Sequence, residues 1–387
     1  MVGGVSMLRQ FIYNLRNTKK STERAWVEIN IEHLNQNYVR LKNKLAAGCE
    51  IMAVLKADAY GNGDLIMAKE LSRLGVRAFA VETVDEGITL RKNKIKGEIL
   101  IFSETPETQI VALSKYGLTQ SVASLEYAKL LNSTRKHISI HINLTAEMEH
   151  LQGNRIGVEE VKKIYQQEYT RVTGIYAKLT NEASTQLEDI ILTEMEIEAF
   201  YSIITYLKGE GIAVGKTHLQ SSYGILHYPH IKCDYARVGS ALYGLCDGEG
   251  QFKPVLSMRA RVLMTKQLSD GECYYYGDCY IANREMNVAV ISIGSADGIP
   301  KGLSSGDGYL ILHGERVPVI GQVCMNQLLV DISQLEQVAP GDIATVVGSE
   351  GELTIYLNDI AMESGNIADE VLDRFLKCFN QGIIYVK

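Results

Sequence analysis

The chain runs to 387 residues, 46% hydrophobic and 22% charged, with a formal net charge of −7. That is enough length for two domains, or for one barrel with an appendage, and enough apolar content for a large core. The acidic balance argues against a nucleic-acid partner, which would draw on basic patches. No window approaches the roughly 20 apolar residues that span a bilayer. The seven cysteines are odd in number, scattered and without zinc-ligand spacing, so a reduced, intracellular chain with no metal site is expected.

Residues 1–24 read as a solvated leader. Arg9, Arg16, Lys19, Lys20 and Arg24 punctuate it, and it lacks the continuous apolar core of a signal peptide. Residues 25–30 alternate like a strand, and residues 31–45 read as a helix with Leu34, Tyr38, Leu41 and Leu45 on one face. From there strands and helices alternate. Strands are expected at 51–55, 78–81, 99–102, 120–123, 138–143, 172–177, 217–220 and 235–238. Helices are expected at 65–74, 85–92, 125–131, 159–166 and 187–207. Such alternation argues for parallel strands with crossover helices. Eight strands fit a (β/α)8 TIM-type barrel, with a doubly wound open sheet as the alternative.

The pattern changes at the turn-rich Asp247-Gly248-Glu249-Gly250. Short β runs follow at 260–265, 288–293, 308–312, 317–320 and 328–330, and a helical stretch at 357–375 closes the chain. The expected organisation is a leader at 1–24, an α/β barrel at 25–246 and an all-β C-terminal domain at 247–387.

Chemistry in such a barrel gathers at the C-terminal strand ends. Lys56 falls there, after the apolar run 51–55. Burial would disfavour its ammonium form and make the amine a nucleophile for an aldehyde cofactor; a lysine that simply snorkels to water is the competing reading. Ser221 and Ser222 follow the seventh strand, and Arg237-Val238-Gly239-Ser240 ends the eighth. Small residues with free N–H groups at those two strand ends suit a phosphate. Ser222 also reads as a helix N-cap.

The run Val54-Leu55-Lys56-Ala57-Asp58-Ala59-Tyr60-Gly61 resembles the pyridoxal-phosphate motif of the alanine racemase family. The likeness extends from about Ala25 to Val371, and the nearest variants in feel are the serine/alanine racemases of vancomycin resistance. The resemblance implies pyridoxal 5'-phosphate, a barrel with a β domain, and a head-to-tail homodimer. The implied activity interconverts L- and D-serine or L- and D-alanine by two-base proton exchange at Cα. Lys56 would carry the cofactor and serve as one base. Tyr276, in Cys273-Tyr274-Tyr275-Tyr276-Gly277-Asp278, would be the other, reaching the partner's site. Tyr60, Ser222, Gly239 and Ser240 match phosphate-binding positions, and Arg237 matches the contact to the pyridine nitrogen. Arg155 matches a residue at the cofactor's phenolic oxygen and the substrate. Met325 and Asn326, in Val323-Cys324-Met325-Asn326-Gln327, match a segment at the substrate carboxylate. Asn143 stands where many members carry a carbamylated lysine, which a bound chloride replaces in others.

Several positions depart from the family pattern. Lys178 replaces a histidine that supports the tyrosine, as a cation at the cofactor site; Ser295 replaces a tyrosine; Asn326 replaces an aspartate; Gln322 replaces a gate arginine. Asp369 replaces a gate tyrosine at the substrate side chain and opens room for a hydroxymethyl group. A catalytically weakened, cofactor-binding homologue with a regulatory role is the alternative function. A decarboxylase is disfavoured, because Arg237 rather than a carboxylate follows the eighth strand. The resistance racemases carry a membrane domain, so the basic leader also reads as a juxtamembrane segment of a longer protein whose racemase part is cytoplasmic.

Overall fold

The computed structural model describes residues 23–144, 156–246, 251–276, 278–305, 308–365, 370–372, 374–375 and 383–386. They form two compact units. One is Asn37–Leu242; the other joins the described residues before it to those after it.

The described chain opens on β1 (Ala25–Asn30) and α1 (Ile31–Lys44). The barrel strands follow: β2 (Glu50–Val54), β3 (Ala78–Val81), β4 (Glu98–Ile101), β5 (Thr119–Val122), β6 (Ile138–Asn143), β7 (Thr170–Tyr176), β8 (Lys216–His218) and β9 (Tyr235–Val238). They close in chain order, each parallel to the next, with β9 pairing back onto β2 through Ile51↔Ala236, Met52↔Arg237 and Ala53↔Val238. The closure excludes the open-sheet alternative. Between them run α2 (Asp64–Arg73), α3 (Val84–Lys92), α4 (Ile110–Tyr116), α5 (Leu125–Ser133), α6 (Ile156–Tyr165), α7 (Leu187–Gly209) and the short α8 (Ser222–His227).

Strands covered on both faces read as short buried runs, which is why β3 and β5 are buried end to end. Part of the barrel interior is apolar, with Met52, Val54, Ala78, Ala80, Leu100 and Tyr176 packed together. Another part is polar. His141, His218 and Arg237 are all buried, and Gly174 on β7 makes room for them: a Cβ there would stand 2.5 Å from His141 Nε2.

The other unit is built on a nine-stranded sheet. Its spine, β10 (Leu256–Leu268), pairs antiparallel with β1 and β13 (Met286–Ile291). A hairpin of β11 (Cys273–Tyr276) and β12 (Asp278–Ile281) stands apart from that sheet. Leu268, Ala282, Met286, Val288, Val290 and Leu329 form a core cluster of this unit.

The boundary expected at residue 25 shifts. Strand β1 joins the β unit, where it pairs antiparallel with β10 and buries Ala25, Trp26, Val27 and Ile29. Arg24 secures it, donating to both carboxylate oxygens of Asp297 at 2.5 and 3.0 Å and to Ser292 O at 2.6 Å. The helical stretch expected over 357–375 is interrupted: Leu357–Glu363 is helical and ends before Gly365 at φ 67°, and the described residues 370–372 and 374–375 are helical again. Cys49, Cys233, Cys246 and Cys324 are free thiols, but Cys273 is disulfide-bonded, which corrects the expectation of a fully reduced chain. Among the described residues no helix is long and apolar enough to cross a membrane, and no cluster could hold a metal ion.

Candidate active site

Strand β2 stops where Leu55 N donates to Ala80 O at 2.8 Å. The chain then makes a left-handed turn. Ala57, Asp58, Ala59 and Tyr60 have φ of 51°, 54°, 54° and 53°. For residues with a Cβ that conformation costs ~1–2 kcal/mol each, and strain of this kind persists only where the surroundings enforce it. Here Glu86 Oε1 accepts from Ala57 N at 3.0 Å, Asp58 Oδ1 from Asp64 N at 2.8 Å, and buried Asn62 donates from Nδ2 to Ala59 O at 2.9 Å and Tyr60 O at 3.0 Å. Burial and the neighbouring Asp58 push Asp64 up to about 6.

The turn throws Lys56 outward. Its Nζ lies 3.7 Å from Glu82 Oε2, and the two side chains are 43% and 41% exposed. This corrects the desolvated lysine expected from strand position. Glu82 is itself held, accepting from Ser103 Oγ at 2.5 Å, while Glu86 Oε2 accepts from Glu82 N and Thr83 N at 2.9 and 2.8 Å.

Because β2 and β9 are neighbours, the same barrel end brings Tyr60 to Gly239. A Cβ on Gly239 would stand 2.7 Å from Tyr60 Oη. Ser222 is buried, and its Oγ accepts from Gly239 N at 3.3 Å and Ala241 N at 3.1 Å. Two backbone donors, two hydroxyls and the bare Cα of Gly239 therefore converge, with half-buried Ser240 alongside. The N-cap side chain of α8 belongs to Ser221, whose Oγ accepts from Tyr223 N at 3.1 Å, so Ser222 is not the cap.

Arg237 is buried. Nη1 donates to His218 O at 2.9 Å and contacts His218 Nδ1 at 3.1 Å; Nη2 donates to Ala177 O at 2.7 Å. The guanidinium lies 4.8 Å from the centre of the Tyr176 ring. His141 Nδ1 is 2.9 Å from His218 Nε2, and His141 Nε2 is 2.9 Å from Glu98 Oε1. Burial, with Arg237 and His141 adding to it, holds His218 far below its ordinary value. Burial pushes Glu98 up, but bonds from His141, Tyr235 and Thr119 outweigh it and leave the carboxylate below its usual range.

Glu182, in the loop after β7, escaped sequence reasoning. It is 8% exposed, and its Oε1 accepts from Ser221 Oγ. Burial pushes its carboxyl up, against the pull of Ser221, Arg237 and Lys178. The only sequence signal is an acidic residue close after Lys178, which is exposed.

Lys56, Tyr60, Ser222, Arg237, Gly239 and Ser240 thus share one barrel end. Met325, 70% exposed, and Asn326, also exposed, lie in the β unit. Arg155 and Asp369 fall outside the described residues, as does the side chain of Tyr276, although its backbone forms the end of β11.

Family models for the alanine racemase N-terminal domain and C-terminal domain match residues 29–247 and 255–381. The chain belongs to the alanine racemase family. It is 35% identical over 368 residues to an alanine racemase of a Nostoc species, covering 92% of this chain and 94% of that one. It is 33% identical over 359 residues to a serine/alanine racemase of Enterococcus gallinarum, covering 91% of this chain but 50% of the relative. The chain spans about half the length of the first curated relatives it matches, between 50% and 53%. The solved alanine racemase of Clostridium difficile 630 has a TM-score of 0.82 at 27% identity, over 95% of this chain and 96% of that one.

Proposed function

We propose that this alanine racemase family chain is a pyridoxal-phosphate-dependent amino-acid racemase, exchanging the Cα proton of serine and alanine between two bases. The observation that carries the reading is the barrel mouth: a reachable primary amine on Lys56, and next to it the converging Tyr60, Ser222 and Gly239 groups. These residues fit the cofactor. The space on which Tyr60 Oη abuts is open only because Gly239 lacks a Cβ, and the N–H groups of Gly239 and Ala241 both donate to Ser222 Oγ, which leaves that hydroxyl's hydrogen for a phosphate oxygen.

Tyr60, Ser222, Gly239 and Ser240 would hold the phosphate, Lys56 the aldehyde carbon, and Arg237 the ring nitrogen. Pyridoxal phosphate bound in this way supplies an electron sink that acidifies the substrate's Cα–H. Arg237 sets how strong that sink is. A guanidinium stays protonated at any working pH, so it offers the ring a hydrogen bond and no proton, which favours plain proton exchange over transamination. Lys56 Nζ holds and moves the proton on one face, and Tyr276 of the second protomer in a head-to-tail dimer moves it on the other. Arg155 and the segment with Met325 and Asn326 orient the substrate, and Lys178 supplies a positive charge where the family histidine is missing. In this reading the racemase acts in the cytoplasm.

The deciding measurement is a coupled assay for D-serine and D-alanine on purified protein reconstituted with pyridoxal phosphate. Formation of either D-amino acid, abolished in Lys56→Ala, supports a racemase. Stoichiometric cofactor binding without D-amino-acid formation would favour the weakened, regulatory homologue.

A further inference from the structure

Arg237 is a buried cation with no anion against it. Its hydrogen bonds all go to uncharged groups: Nη1 to His218 O and the neutral His218 ring, Nη2 to Ala177 O at 2.7 Å and Leu219 O at 3.4 Å. Among the described residues no carboxylate forms an ion pair with it, and Nε–H has no hydrogen-bond partner. Buried charges are normally paired. Here the face of Tyr176 takes the place of the counter-charge, with the guanidinium carbon 4.8 Å from the ring centre. The electrons above an aromatic ring attract a cation, and more strongly where water is excluded.

The ring is itself held from several sides. Tyr176 ends β7 and pairs in register with His218 on β8. Their rings stack, with centres 4.6 Å and planes 18° apart. Since Arg237 Nη1 touches His218 Nδ1 at 3.1 Å, guanidinium and imidazole lie side by side on one face of the phenol. Tyr176 Oη shares a hydrogen bond of 2.8 Å with buried Ser121 Oγ, and the ring packs in the cluster with Met52, Val54 and Leu100. Carbonyls thus hold both Nη groups at the edge, the aromatic face holds the flat of the guanidinium, and Nε–H is the donor left for a ligand. We propose that Tyr176 is a positioning residue for the cofactor, its ring face fixing the Arg237 guanidinium in the place from which it donates to the pyridine nitrogen. This role rests on the proposed cofactor and on the place given to Arg237 beside its ring.

The test compares two ligands on cofactor-stripped protein: pyridoxal phosphate, and its analogue with a CH group in place of the ring nitrogen. The quantity read is the ratio of their dissociation constants, from fluorescence titration, with folding checked by thermal unfolding. Differences in the ligands' own chemistry are common to every protein and cancel when ratios are compared. Arg237→Met removes the donor, so the preference for pyridoxal phosphate should fall about tenfold from the wild-type value, the scale of one hydrogen bond from a charged group. Tyr176→Leu and Tyr176→Met remove the ring face and should lower the preference by a similar factor. Adding either to Arg237→Met should lower it no further. Tyr176→Phe keeps the face and should hold the wild-type ratio. If Tyr176→Leu does not fold, Tyr176→Met decides. Weaker binding of both ligands at the wild-type ratio in these variants would mark a merely structural ring and overturn the inference, with the cofactor reading intact. Loss of the preference in Tyr176→Phe as well would overturn it too, since the ring face is still there. An unchanged ratio in Arg237→Met would overturn the role of Arg237 and the inference together. Wild type that binds no pyridoxal phosphate would overturn the cofactor reading itself.

Discussion

Arg237 Nη1 lies 3.1 Å from His218 Nδ1, and because a guanidinium only donates, this contact fixes the tautomer of His218. His218 Nδ1 must be the bare nitrogen, so Nε2 carries the hydrogen and donates to His141 Nδ1 at 2.9 Å. His141 then carries its own hydrogen on Nε2, which faces Glu98 Oε1 at 2.9 Å. One file of four side chains, from β4, β6, β8 and β9, with His141, His218 and Arg237 buried and Glu98 half-buried, joins an anion at one end to a cation at the other. His218 is neutral in it, with its hydrogen on Nε2.

Keeping His218 neutral has a consequence for acid stability. Its folded-state proton affinity is far below the ordinary value, whereas the unfolded chain's histidine takes a proton below about pH 6.5. Folded protein therefore binds fewer protons than unfolded protein in acid, and stability falls as pH drops below that value, by at most about 1.4 kcal/mol per pH unit for one group. Asp64, raised to about 6, and Glu182 act in the opposite sense, so the informative quantity is a difference. His218→Gln should be less stable than wild type at pH 7.5, and the gap should narrow as the pH falls to 5.5. Thermal unfolding across that range checks this; parallel curves would mean that His218 takes up its proton alike in the folded and unfolded chains, and a gap that widens towards acid would mean that it is protonated in the folded chain at neutral pH.

Much of the fold is legible in the chain because it is written in burial. Strands covered on both faces favour apolar runs, as in β3, although buried β5 reads Thr119-Gln120-Ser121-Val122, and the barrel strands fall within a residue or two of their expected positions. Strand β1 misled because alternation reveals a half-buried strand but not its partner. The left-handed turn after Lys56 has no sequence mark: Ala57-Asp58-Ala59-Tyr60 contains no glycine, and its conformation is imposed by Glu86, Asn62 and Asp64. Lys56 is consequently only half-buried, beside Glu82, where a strand-end lysine reads as desolvated. Glu182 was missed for a related reason, since a carboxyl in a loop reads as solvated until the loop is seen to fold inward. The His141–His218 file is equally silent in sequence, its members lying 77 residues apart.

Gly239 offers a test of the cradle that leaves the lysine untouched. In Gly239→Ala the new methyl would stand 2.7 Å from Tyr60 Oη and 2.9 Å from a ring carbon. Either Tyr60 is displaced from its packing against the β2–β4 cluster or the β9 loop moves. Overpacking of this sort costs ~1–3 kcal/mol. The variant should melt at a lower temperature and hold pyridoxal phosphate more weakly. Adding Tyr60→Ala should recover stability without recovering affinity. Full recovery of binding in the double variant would show that Tyr60 Oη contributes nothing to the phosphate.

The two-protomer reading makes a quantitative demand. Lys56→Ala and Tyr276→Phe should each abolish racemisation alone. If Tyr276 serves the partner's site, a mixed dimer contains one site with both bases and one with neither. Random exchange makes half the dimers mixed, so the mixture should recover about a quarter of wild-type activity per protomer. Activity of wild type should also fall on dilution as dimers separate. No recovery with mixed dimers demonstrated by mass would place Tyr276 in its own protomer's site or outside catalysis.

Substrate choice is argued from Asp369, which lies outside the described residues and replaces a gate tyrosine of the resembled pocket. A phenol at that position would fill the space beside the substrate's Cβ. Removing it makes room for serine's hydroxymethyl group, and one such steric block is worth about 1–3 kcal/mol of discrimination. On the proposed placement the aspartate would add a second preference, because its carboxylate would accept a hydrogen bond from serine's hydroxyl, whereas alanine's methyl would leave it unpaired. Both effects favour serine, so serine should be racemised at least as well as alanine. Asp369→Tyr should reverse this, lowering kcat/KM for serine relative to alanine by roughly 10- to 100-fold while cofactor absorbance is retained. Equal losses for both substrates, or a wild type that racemises alanine alone, would sink the specificity proposal without touching the roles of Lys56 and Gly239.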